Sequence, residues 1–197
     1  AVNDNVAVGH NALGGSTAAE YCVVIGTYAL DSTVTAHANG TVAIGYAAGG
    51  ALTSGASNLA IGYHAGKTIT TGDSNTILGY GAMDEVPAAA TSNVAIGHNA
   101  MGGDSDGNTA SNYNVAIGHN AMDAVMDAAN QNTGVGYNSL SGLTEGDNNA
   151  CFGKSSGDVI STGTQNTILG SDSDPSAAGG TNQIVIGYNV TGHGDNI

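Results

Sequence analysis

Apolar residues come along this chain in short bursts, each closed by a glycine and followed by a polar run. Taking the glycine as anchor, the bursts end at Gly9, Gly26, Gly45, Gly62, Gly79, Gly97, Gly118, Gly136, Gly153, Gly170 and Gly187, spaced 17, 19, 17, 17, 18, 21, 18, 17, 17 and 17 residues apart. Residues 93–101 and 114–122 both read NVAIGHNAM, the clearest copies of this repeat. A fixed period of this size marks stacked supersecondary units. Each burst is too short for a helix and rich in β-branched residues, so it predicts a strand.

The slot four before the glycine is Asn in eight repeats: Asn5, Asn58, Asn75, Asn93, Asn114, Asn132, Asn149 and Asn166. The slot two before it is small or apolar (Ala7, Val24, Ala43, Ala60 and on to Val185), and the slot just before it is always apolar (Val8, Ile25, Ile44 and on to Ile186). Successive strand residues face opposite sides, so both faces are apolar. The pattern predicts an all-β parallel β-solenoid, or β-roll, of about eleven short coils, one strand per coil, stacked in register. The Asn column then forms an amide ladder. The segments after the glycine, YNAL or HNAM, are expected to return as a second short strand. Loops at 70–74, 144–147 and 161–164 close the coil, with Gly as the positive-φ residue. The 21-residue spacing comes from residues 102–113, an expected protruding loop. Where the middle residue grows to Ile, in NTILG at 75–79 and 166–170, Thr and Leu flank it, a covariation that reads as packing within one coil.

The Ala-rich column, with Ala12, Ala65, Ala82, Ala100 and Ala121, suits a narrow interior. The Val and Ile side chains then look outward as a stripe along the solenoid, which three copies about one axis would bury. The alternative is a monomer with the branched residues turned inward.

Composition narrows the function classes. The 197 residues form a single repeat domain with 32 Gly, no Trp, one Phe and 9% charged residues, which favours thin aliphatic layers over an aromatic core. Sixteen acids against Lys67 and Lys154 give a formal charge of -14, which excludes nucleic acid as a partner. No apolar stretch approaches a spanning helix, so no membrane insertion is expected. Cys22 and Cys151, in the second and ninth repeats, are about 34 Å apart at the strand spacing, too far for a disulfide, and read as small buried residues.

Candidate chemistry is sparse. His10, His98 and His119 share the slot after the glycine with Tyr46, Tyr63, Tyr80, Tyr137 and Tyr188, which reads as an amphipathic rim column, since a metal ligand needs imidazole specifically. His37, His64 and His193 are isolated. The closest acid pairs, Asp172 with Asp174 and Asp104 with Asp106, read as turn chemistry; calcium is the sharper alternative, without the EF-hand or nonapeptide spacing. The glycine-rich stretches at 45–50 and 179–183 lack the lysine of a phosphate loop, and no nucleophile has a defined base. The expectation is no enzyme, no catalytic residue, no metal and no cofactor.

NVAIGHNAM, NTGVGYNSL and NQIVIGYNVTGHGDN resemble the glycine-punctuated repeats of bacteriophage tail fibres, and are similar to the SVAIG coils of YadA-type trimeric autotransporter heads, whose period is shorter. The resemblance covers the whole chain. It implies a trimeric left-handed β-roll, a structural and adhesive segment of a phage tail fibre that positions host-receptor-binding regions, located on the virion and extracellular. Its implied partners are its own copies, other fibre or virion components, and host-surface glycan. The alternative is the head of a trimeric adhesin on a bacterial surface. The chain reads as an excerpt of a longer fibre, with residues 195–197 opening a twelfth strand; a chaperone or tip module beyond Ile197 would favour phage, a coiled coil and membrane barrel the adhesin. An ice-binding solenoid needs a flat Thr array, and here Thr is scattered. A polysaccharide depolymerase needs two carboxylates about 5 to 10 Å apart on rigid elements, and here no acid occupies the three strand slots.

Overall fold

The computed structural model describes residues 4–15, 18–32, 38–103 and 109–196. It is an all-β parallel solenoid with eleven three-residue strands: β1 (Val6–Val8), β2 (Val23–Ile25), β3 (Val42–Ile44), β4 (Leu59–Ile61), β5 (Thr76–Leu78), β6 (Val94–Ile96), β7 (Val115–Ile117), β8 (Thr133–Val135), β9 (Ala150–Phe152), β10 (Thr167–Leu169) and β11 (Ile184–Ile186). They pair in sequence order as one sheet. Register follows the repeat slot for slot, as in Ala95 opposite Ala116 and Ile96 opposite Ile117. Coils are numbered below by their strand.

The Asn column is a continuous buried ladder. The Asn114 side-chain oxygen accepts the Asn132 backbone N–H at 2.9 Å and its Nδ2 at 3.2 Å, while Asn114 Nδ2 donates to the Ala129 carbonyl at 2.8 Å. The same three bonds recur where Asn follows Asn, so each amide joins two coils and also ties the start of its coil to the end. The departures are instructive. Cys22 Sγ donates to the Ala38 carbonyl at 3.2 Å, the carbonyl an Asn would have reached. Gln183 turns instead to Ser176 and Asp195. The Thr41 hydroxyl is buried without a partner.

Each anchor glycine has φ between 131° and 145°, and a methyl there would run into the next coil, or for Gly187 into Val190. Only Gly meets both demands. The loop glycines act differently from expectation. Gly72, Gly146 and Gly163 are not in the positive-φ region, which Ser74, Asn148 and Gln165 take instead. Small residues are needed there because the neighbouring backbone passes too close for a side chain, and because their carbonyls receive the ladder Asn.

The expected second strand is replaced by a turn. After the glycine, alternate residues such as Asn99 (φ 51°) and Met101 (φ 52°) are left-handed, which curls the chain where an extended strand would carry it away. Coil-to-coil bonds persist nonetheless: Asn99 N–H reaches the Tyr80 carbonyl and Met101 N–H the Ala121 carbonyl, both at 2.9 Å. Leu and Met at positive φ cost about 1–3 kcal/mol each; Leu30, Met83, Met101, Met122 and Leu140 accept it because their side chains fill the core.

That core is one layer thick, built from the middle strand residues, the buried alanines including Ala65, Ala82, Ala100 and Ala121, and these turn residues. Ala12, in the first coil, is only partly buried. Volume is balanced between coils. A methyl on Gly66 would lie 2.7 Å from Ile77 Cδ1, and one on Gly134 3.1 Å from Met122 Cε. The Thr and Leu flanking Ile77 and Ile168 face outward, so the NTILG covariation is not packing against that Ile; the inward partner of Ile77 is Gly66 in the adjacent coil. Cys22 and Cys151 are buried free thiols, both pushed up in pKa by burial.

Asp195 and Asn196 continue the path. Asn196 is left-handed and donates to the Thr181 carbonyl as Asn182 does to that of Thr164. Ile197, which the expected twelfth strand needs, lies outside the described residues, as do residues 104–108 of the expected protruding loop.

Replacing Asn114 with Ala strands the buried Asn132 N–H and Ala129 carbonyl, a loss of about 3 kcal/mol from two unpaired groups. Denaturant titration of Asn114→Ala should show it, with a shift at least as large for Gly97→Ala.

Candidate interaction surface

The side chains before and after each buried strand centre point outward, as expected for the branched stripe. Leu169 is 51% and Ile186 65% exposed, and Val6, Val8, Ile25, Leu78, Phe152 and Ile184 are exposed as well. These two columns contain no acidic residue in any of the eleven strands, although the chain carries sixteen acids. Eleven coils at about 4.8 Å make the surface roughly 50 Å long, and two columns with their border make it about 14 Å wide, or ~700 Å². A standard protein interface takes about 800 Å² from each partner.

The border past the glycine is aromatic. Tyr46, Tyr63, Tyr80, His98, His119 and Tyr137 form an unbroken stack, with ring centroids 4.8–5.4 Å apart and planes within 25° of parallel. His10 begins the column but meets Tyr28 edge-on. The slot tolerates either ring because it asks for a flat face to stack and a polar edge to show. Stacking covers the faces and contributes about 0.5–1.5 kcal/mol per pair. Lys154 interrupts the column and is held by Asp172 at 2.6 Å; Tyr188 stands beyond the break, 76% exposed.

The other singled-out residues do not converge. His64 Nδ1 is 3.4 Å from Asp84, His193 is exposed, and His37, Asp104 and Asp106 lie outside the described residues. Asp172 and Asp174 have different partners: Asp172 takes Lys154, whereas Asp174 accepts the Val159 N–H at 3.4 Å. Loop acids join coils. Asp73 accepts the Ala56 N–H at 2.6 Å and Asp147 that of Asn130 at 2.7 Å. Among the described residues there is no group of three potential metal ligands, and no helix is long and apolar enough to cross a membrane. The sequence reading missed that the aromatic slots touch one another; their recurrence in consecutive coils was the signal.

The geometry defines the class, a parallel β-solenoid with an acid-free apolar face and an aromatic border. Comparison with known protein families, curated proteins and solved structures finds no match.

Burial raises the carboxyl pKa of Asp174 above its ordinary value, with nearby Asp158 and Asp172 adding to the shift. A raised folded-state value means the fold gains from Asp174 only when it is protonated, so its contribution weakens as pH rises through that value. Asp174→Asn should therefore raise the melting temperature at pH 7, and the advantage should shrink as pH falls through the folded-state value and be gone by about pH 3, below the ordinary Asp value of about 3.9, where the carboxyl is largely protonated in both states. Thermal melts across pH would show the crossover.

Proposed function

We propose that this chain is a structural and adhesive segment of a homotrimeric fibre of the phage tail-fibre kind. Three copies bury their apolar faces against one another and hold host-receptor-binding regions away from the virion. The observation that carries this reading is the acid-free stripe, which runs the length of the stack in a chain of charge -14. Solvating so long an apolar stripe is unfavourable, and like charges would repel if acids occupied it. Cyclic symmetry fits the repeat: rotation without translation puts every coil level with its own copies, so eleven similar coils need no further device to choose a stagger.

The role is mechanical, with no catalytic step. Backbone bonds join the coils through strands and turns, which suits a stiff, protease-resistant spacer. Its partners are its own copies and neighbouring fibre components, with host-surface glycan as the contact made by outward loops; its place is extracellular. The second reading, the head of a bacterial trimeric adhesin, uses the same face. One observation favours it: the 14-residue step from Thr181 to Asp195, shorter than any repeat spacing before it and nearer the shorter period of those heads.

Native mass spectrometry of the full chain should give three times the 19.2 kDa chain mass. The double variant Ile96→Glu, Ile117→Glu should fall to monomer with its circular dichroism retained. A wild-type monomer at micromolar concentration would sink the proposal.

A further inference from the structure

The ring border and the last strand column form one groove along six coils. On one side stand the aliphatic residues just before the corner glycine, from Ile44 to Val135; on the other stand the stacked rings just after it, from Tyr46 to Tyr137. Between them the wall is glycine alone, partly exposed at every level from Gly45 to Gly136. The two columns are rooted two residues apart, at most about 7 Å, and five steps at about 4.8 Å make the groove ~24 Å long. Both ends are marked. Before Tyr46 the Tyr28 ring turns edge-on, at 89°, beside a solvent-open cleft of about 430 Å³ that Ala47 and Gly50 leave in the turn wall of coil 3; beyond Tyr137 stands Lys154. We propose that this groove binds flat, elongated, positively charged conjugated molecules lying along the solenoid axis.

Three observations select that ligand. The ring faces are spent on one another, with planes within 25° of parallel, yet Tyr46, Tyr63, Tyr80 and Tyr137 keep 42–55% of their surface exposed, so what reaches solvent is a row of ring edges. An aromatic edge carries the positive end of the ring quadrupole and seeks the face of another π-system, so a conjugated face laid along the row collects one edge-to-face contact per coil. A lone ammonium would need a ring face, and none within the stack is free. The second observation is the constant spacing. A rigid, straight molecule of about 15 Å meets three or four rings in succession, a repetition that a compact ligand does not use. The third is charge. Residues 41–148, which make up the six coils, carry nine acids against the single base Lys67, and Asp84 holds that base at 3.5 Å. Asp84 also stands 3.4 Å from His64, whose ring lies 4.1 Å from that of Tyr63, and Asp123 is within electrostatic reach of His119. A cation is drawn to such a wall and an anion repelled. The aliphatic column then covers the other face of the ligand.

Thioflavin T is a cation of this shape, and its fluorescence rises when rotation between its two ring systems is stopped. Added to the full folded chain at low salt it should fluoresce, and the signal should weaken as ionic strength rises. Tyr63→Ala, His119→Ala leaves no run longer than two rings and should weaken binding by about tenfold, with circular dichroism retained. Tyr63→Phe, His119→Phe keeps every ring and should bind as wild type does; Tyr188→Ala, beyond the Lys154 break, should change nothing. The uncharged analogue of the dye, without its ring N-methyl group, should bind more weakly than the cation. No fluorescence with the wild-type chain, or a signal unchanged in the double alanine variant, would overturn the proposal, and equal binding of the uncharged analogue would overturn its charge requirement. Native mass on the same samples reports the trimer separately, so the two readings fail independently.

Discussion

A buried amide that must bond to the coils before and after it, and to the far end of its own coil, governs this structure. Asn75, Asn93, Asn114, Asn132, Asn149 and Asn166 are almost fully removed from water, and each needs the neighbouring coil at hydrogen-bonding distance. The glycine that follows four residues later is the other half of the same requirement, because coils held that close leave no room for a methyl at the corner. Once both columns are satisfied, only a flat disc of chain remains possible for each repeat. Its interior then holds one layer of side chains, and every substitution toward bulk must be met by a loss of bulk nearby, as at Ile77 and Gly66.

Much of this was legible in the sequence, because the constraints act at fixed slots. The parallel strands, the amide ladder, the inward alanines and the outward branched residues all follow from period and alternation. The turn after the glycine was not legible. YNAL has the composition of a strand, and nothing in one sequence announces that Leu140 or Met122 takes a left-handed backbone; burial of the side chain holds it there. The loop glycines misled for a related reason. Gly72 and Gly146 read as flexible turn residues, but they are small because the adjacent backbone passes over them.

The surface was partly legible. The interchange of His and Tyr spoke against metal chemistry, and from Tyr46 to Tyr137 the rings form a border in which each stacks on the next. The coil 3 cleft could not be seen from the repeat, since it arises where Ala47 and Gly50 take slots that Tyr28 and Asp31 fill in coil 2 and His64 and Lys67 fill in coil 4. Regular repeats build the scaffold and the apolar face, and departures from regularity interrupt the aromatic border at Lys154 and open the cleft at coil 3.

The account depends on the strand face closing against copies of itself at the same height. Cysteine cross-linking tests that most directly, because the native thiols are buried. Oxidised Ile117→Cys should link chain to chain. A mass-tagged mixture of Ile44→Cys and Ile117→Cys should give no mixed links, since those positions lie four coils or about 19 Å apart, beyond a disulfide's reach. Failure of Ile117→Cys to cross-link, or mixed links formed as readily as matched ones, would contradict it.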